Sequence, residues 1–122
     1  MTDADNSSHE PTLFDLLEEL MEKEKPFLNP DLSREEVSRA LLTNDLYLRN
    51  AIKEATDQTF GAYIGKLRLE HIQNLLLDPK EETTPIAVLG YSSGFNSART
   101  LNRLFKETYG LTPGEFRNGA MR

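Results

Sequence analysis

Residues 36–63, EVSRALLTNDLYLRNAIKEATDQTFGAY, and residues 89–116, LGYSSGFNSARTLNRLFKETYGLTPGEF, carry one pattern twice at a constant offset of 53 positions. With no gap opened, Leu48 falls on Leu101, Ile52 on Phe105, Lys53 on Lys106, Glu54 on Glu107, Thr59 on Thr112, Gly61 on Gly114 and Tyr63 on Phe116. The matches span a helix, its terminal turn and the start of the next segment, so a duplicated helical unit is the leading reading. Two copies are too few for a solenoid, and the pair is expected to form one bilobed domain.

Working outward, each copy reads as a short helix, a turn and a longer helix. In the first, Ser33 and Glu36 have the spacing of a capping box and open a helix over about 34–41. Thr43-Asn44 interrupts, and a helix over 45–55 places Leu48, Ala51, Ile52 and Ala55 inward. In the second copy, Thr84 as cap with Pro85 at the first helical position starts a helix to Ser92, and Gly94 supplies the turn. Ser97 then caps a helix to Tyr109 with Leu101, Leu104, Phe105 and Thr108 inward, and Thr112 with Glu115 opens a last short helix. Glycines 61, 94 and 110 are expected at turns that need positive φ.

Between the copies, Tyr63, Ile64, Leu67, Ile72, Leu75 and Leu76 recur at helical spacing, predicting a connecting helix over 60–77 that Asp78-Pro79 ends. Ahead of them, Leu13, Leu16, Leu17, Leu20 and Met21 predict an amphipathic helix with an acidic outer face, capped by Thr12 and stopped by Pro26. No segment alternates as a strand does. The fold class is all-α: two helix-turn-helix units joined by a long central helix, plus an N-terminal amphipathic helix. The expected organisation is a disordered leader or added remnant at 1–11, a linker helix and turn at 12–32, a double unit at 33–117 and a tail at 118–122. Within the double unit, unit one covers 33–59, the connecting helix 60–78 and unit two 84–117.

Composition narrows the function. The 122 residues contain no cysteine, which excludes disulfides, thiolate zinc sites and thiol catalysis and suits a cytoplasmic location. His9 and His71 are too scattered for a metal site, and His71 reads as half-buried packing. No nucleophile–base pair, carboxylate dyad or phosphate loop is evident, so no enzyme and no cofactor is expected. The net charge of -6 argues against nucleic acid at first sight, but it is uneven: residues 1–30 carry -6, residues 31–82 carry -3 and residues 83–122 carry +3. A local basic face can bind DNA on an otherwise acidic domain.

That face lies on the longer helix of each copy. Arg99, Asn102, Arg103 and Lys106 stand at i, i+3, i+4 and i+7, opposite the inward residues, and Leu46, Arg49, Asn50 and Lys53 form the equivalent stripe in the first copy. Such a stripe on the second helix of a helix-turn-helix suits the major groove. Arginine can donate to guanine from two nitrogens, asparagine can pair with adenine, an apolar side chain such as Leu46 can meet a thymine methyl, and lysine reaches phosphate. Tyr47, beside the first stripe, reads as packing with a phosphate contact as the alternative.

Gly94-Phe95-Asn96-Ser97, then Leu101, Arg103, Phe105-Lys106, Gly110, Thr112-Pro113, Phe116 and Arg117, resemble the signature of the AraC/XylS family of bacterial transcription regulators, and the similarity extends over about 31–117. The resemblance implies two helix-turn-helix units whose recognition helices enter successive major-groove segments about one helical turn apart. It places Leu46, Arg49 and Asn50, and Ala98, Arg99, Asn102 and Arg103, at the groove. It also implies a regulator, an activator with repression left open as the alternative, that works with double-stranded DNA and RNA polymerase, with a sensing or dimerising domain outside this chain. The apolar stretches are too short for a membrane span, so no membrane contact by this segment is expected. The sequence departs from the family pattern at Gly90, where alanine is usual, and at Ser93, where an apolar residue is usual. Turn glycines usual in the first unit are replaced by Leu41 and Asp57. A second reading from another class is a protein-interaction module on the same scaffold, with the acidic surface as its binding face and weak or no DNA binding.

Overall fold

The computed structural model describes residues 10–120, so the expected leader falls almost wholly outside the described residues. Seven α-helices and two short 3-10 turns account for the regular structure of the described residues, and none of them forms a strand. The helices are α1 (Leu13–Glu24), α2 (Arg34–Ala40), α3 (Asp45–Thr56), α4 (Phe60–Leu77), α5 (Ile86–Ser92), α6 (Ala98–Tyr109) and α7 (Pro113–Ala120), with 3-10 turns at Pro26–Leu28 and Pro79–Glu81.

Local chemistry sets most boundaries. Thr12 and Asp15 exchange side-chain and backbone bonds at the start of α1, Ser33 and Glu36 do the same for α2, and Thr112 and Glu115 for α7. Asn44 caps α3 through the Tyr47 N–H, Thr59 caps α4 through Ala62, and Ser97 caps α6 through Thr100. The second copy starts differently from the expectation. Pro85 itself is the N-cap of α5 and offers no side-chain bond. The Thr84 hydroxyl instead donates to the Glu81 carboxylate, and its carbonyl, with that of Glu81, accepts from Arg117.

Two hydrophobic cores share α4. Its first half sends Tyr63 and Ile64 into a cluster with Leu17 and Met21 of α1, Phe27, Val37, and Leu48 and Ile52 of α3. Its second half sends Leu69, Ile72 and Leu76 to meet Leu89, Phe95, Leu101 and Phe105. At about 1.5–3 kcal/mol for each fully buried large apolar side chain, these clusters are the main stabilising term of each unit. Helix α1 is therefore part of the core of unit one. Ala55 and Thr108, expected to face inward, are exposed, because the apolar stripe of each long helix is only two residues deep at full burial.

The repeat needs one gap. Helices α3 and α6 superpose at the offset of 53, and their left-handed caps Asp57 and Gly110 both donate backbone N–H to a lysine carbonyl, Lys53 and Lys106. Helices α2 and α5 correspond at an offset of 52 instead: buried Val37 matches buried Leu89, and Thr43 N–H to Ser38 carbonyl matches Phe95 N–H to Gly90 carbonyl. The turn of unit two is thus one residue longer. The left-handed residue matching Gly94 is Leu42, with φ +57°, and not Leu41. Gly61, expected at a turn, is the second residue of α4 and lacks positive φ.

Candidate nucleic-acid interface

All nine candidate contact residues, the eight of the two stripes (Leu46, Arg49, Asn50, Lys53, Arg99, Asn102, Arg103 and Lys106) and Ala98, are exposed. On α3, Leu46, Asn50 and Lys53 lie opposite buried Leu48 and Ile52, with Arg49 on the flank. On α6, Arg99, Arg103 and Lys106 lie opposite buried Leu101 and Phe105, with Asn102 on the flank and Ala98, one turn before Leu101, on the buried pair's own side but exposed at the helix start. From Leu46 to Lys53 and from Arg99 to Lys106 the helix rises through seven steps of about 1.5 Å, which gives each stripe a length near 10 Å on a helix whose inner face is anchored in a core. Leu46 is 53% exposed and Tyr47 is more exposed still, so Tyr47 does not pack in the interior. Tyr47 and Asn50 also border a groove against Thr12, Leu13 and Phe14, which places the start of α1 beside the first stripe.

The two stripes differ in charge. Helix α6 carries three cations and one carboxylate, whereas α3 carries two of each. On α3 both cations are engaged: Arg49 Nε lies 3.2 Å from Asp45 and Lys53 Nζ 2.9 Å from Asp57. On α6, Arg103 has a 3.7 Å contact with Glu107, while Arg99 and Lys106 have no ion pair among the described residues. The second unit therefore presents the stronger positive field.

Residues outside the stripes hold the units in place. Arg68 of α4 donates from Nε to the Phe27 carbonyl at 2.7 Å and from a terminal nitrogen to the Asn29 carbonyl at 2.9 Å. Gly94, at φ +98°, sits against the same Phe27 carbonyl and the Arg68 side chain, leaving no room for a Cβ. Reading the sequence missed both roles, since only glycine's turn preference was visible. Among the described residues no group of three or more histidine or acidic side chains is placed to hold a metal ion, and no helix is long and apolar enough to cross a membrane.

A family model described as a helix-turn-helix domain matches residues 37–119, across both units and the helix that joins them. The chain belongs to the AraC/XylS family. It is 32% identical over 90 residues to the multiple antibiotic resistance protein MarA of Escherichia coli K12, covering 74% of this chain and 68% of that protein. It is 30% identical over 91 residues to an uncharacterized transcriptional regulatory protein, YesN of Bacillus subtilis, covering 73% of this chain but 24% of that protein. Among solved structures, the C-terminal domain of AraT, a response regulator from Geobacillus stearothermophilus, matches with a TM-score of 0.75 at 24% identity, over 90% of this chain and 86% of that one. The C-terminal domain of the response regulator yesN from Fusobacterium nucleatum gives 0.73 at 21% identity, over 85% and 96%. These two likenesses concern the fold. As an AraC/XylS domain the chain is a DNA-binding regulator of transcription and not an enzyme.

Proposed function

We propose that this domain reads double-stranded DNA by sequence, with α3 and α6 in successive major-groove segments. Arg99, Asn102 and Arg103, with the methyl of Ala98, would meet bases in unit two, Leu46, Arg49 and Asn50 in unit one, and Lys53 and Lys106 the flanking phosphates. The observation that carries this reading is the pair of helices capped by the same bonding pattern, each anchored by two buried residues and presenting an exposed stripe at the same offset. An output role in a larger bacterial regulator, an activating effect through RNA polymerase and a cytoplasmic location belong to the same proposal. The matched region forms 24% of YesN, which supports the output role.

The test is enrichment of a random duplex library by the purified chain at low salt. A motif of two blocks about one helical turn apart is the expected result. Absence of any enriched motif with folded protein overturns the reading in favour of the interaction module, which the engaged cations of α3 and the acidity of residues 1–82 favour. Binding that weakens steeply with salt and collapses on Arg99→Ala with Arg103→Ala separates the two, because the interaction module would be indifferent to both.

A further inference from the structure

Asp45 is the first residue of α3, and its two carboxylate oxygens face two different arginines. Oδ1 lies 2.6 Å from Nε of Arg34 on α2, and Oδ2 lies 3.2 Å from Nε of Arg49 one turn along α3. All three side chains are about half exposed. Unit two has nothing comparable, since Ala98 occupies the position matching Asp45 and Asn102 the position matching Arg49.

Resting on the groove reading above, we infer that Asp45 is a positioning residue for Arg49 and sets how sharply unit one discriminates between sequences. A carboxylate in the first turn of a helix favours the helix dipole, which explains an acid at this position. It does not explain the convergence of two guanidinium groups from different turns and different helices. A carboxylate beside a phosphate-lined groove also repels the ligand, so its placement there costs affinity that a merely structural acid has no reason to forgo. Holding Nε of Arg49 leaves its two terminal nitrogens as the free edge, a pair of donors suited to guanine O6 and N7. Released from Asp45, the same side chain can turn to the flanking phosphates, which every sequence supplies. The contact to Arg34 braces the carboxylate from α2, so the position of Asp45 is tied to the packing of the whole unit.

The experiment uses the 122-residue chain, the duplex enriched from the random library and a scrambled duplex of equal length, with affinities measured at fixed salt. Asp45→Asn keeps the size of the side chain and removes its charge. The expected result is tighter binding to the scrambled duplex and a cognate-to-scrambled ratio lowered about three- to tenfold, as loss of part of a bidentate arginine contact implies. In an Arg49→Ala background the same substitution is expected to move both duplexes by one factor and leave the ratio unchanged. An equal shift on both duplexes with Arg49 present overturns the inference and makes Asp45 a source of general repulsion. So does a loss of ratio that persists without Arg49. Thermal melting of each variant shows whether the fold is intact, and if Asp45→Asn does not fold, Asp45→Ser replaces it under the same criteria. A wild-type chain that enriches no duplex overturns the groove reading and this inference together, and is recognised before any variant is made.

Discussion

His71 Nδ1 lies 2.9 Å from Ser93 Oγ, tying the middle of the connecting helix to the end of α5. The serine hydroxyl donates to the Leu89 carbonyl, so the histidine supplies the proton between them and Nδ1 carries the hydrogen. The pair explains why a polar residue is buried at position 93, where the family usually has an apolar one: it has both a donor and an acceptor.

Burial lowers the His71 pKa below its ordinary value of 6.5, and the charge on Lys25 lowers it further. The unfolded chain therefore takes up this proton first as pH falls, and folding stability contributed by neutral His71 is present above pH 6.5 and lost on acidification through the folded pKa. Denaturant midpoints should fall between pH 7 and pH 5, and His71→Gln should flatten that part of the profile. An unchanged slope in the variant would assign the effect to other groups.

Gly94 admits no side chain. Its φ is +98°, and a Cβ would lie 2.6 Å from Arg68 Nε and collide with the Phe27 carbonyl. Gly94→Ala should cost more than about 2 kcal/mol, since both backbone strain and displacement of the half-buried Arg68–Phe27 tie contribute. Arg68→Met, which removes the donors to Phe27 and Asn29 but adds no bulk at Gly94, should cost about 1–3 kcal/mol. Urea unfolding of the two variants checks the order.

Leu42 takes the left-handed conformation at φ +57° while 94% exposed, so it bears strain without burying anything. Leu42→Gly should stabilise unit one by about 0.5–1 kcal/mol, the usual gain when a side chain leaves a position that favours glycine. A lower melting temperature would show that Leu42 has a contact worth more than its strain.

The Ser38 hydroxyl is buried with no hydrogen-bond partner among the described residues. Its structural counterpart at the offset of 52 is Gly90, whose Cβ position lies 2.8 Å from Leu101 Cδ2. Unit one has room at this helix contact and fills it with a polar group, and unit two has none. Ser38→Ala should raise stability by about 1 kcal/mol, measured as a higher denaturant midpoint at unchanged slope.

Arg99 and Lys106 should respond differently to removal although both are exposed cations on α6. Arg99→Ala is expected to cost about 1–3 kcal/mol on the enriched duplex and to relax preference at one base pair. Lys106→Ala is expected to weaken all duplexes alike and reduce the salt slope by about 1. Titrations at several salt concentrations distinguish a base contact from a phosphate contact.

The helices of this protein were legible in the sequence because their determinants lie within four residues of each other. Ser33 with Glu36 and Thr112 with Glu115 name their own helix starts, and Leu48, Ile52, Leu101 and Phe105 name their buried faces. The exposed stripes followed from the same periodicity, as what the buried faces leave outside. An ungapped match obscured the turns, because a one-residue insertion between α5 and α6 changes no apolar period and shows only in which residue takes the left-handed conformation, Leu42 or Gly94. Only the tertiary structure decided which distant groups meet: Arg68 with Phe27 across 41 positions, Arg117 with Thr84 across 33, His71 with Ser93 across 22 and Arg34 with Asp45 across 11. Those pairs depend on how the two cores set α4 against its neighbours. Capping and periodicity are properties of a short stretch of chain, whereas a tie between helices exists only once packing has fixed their relative positions.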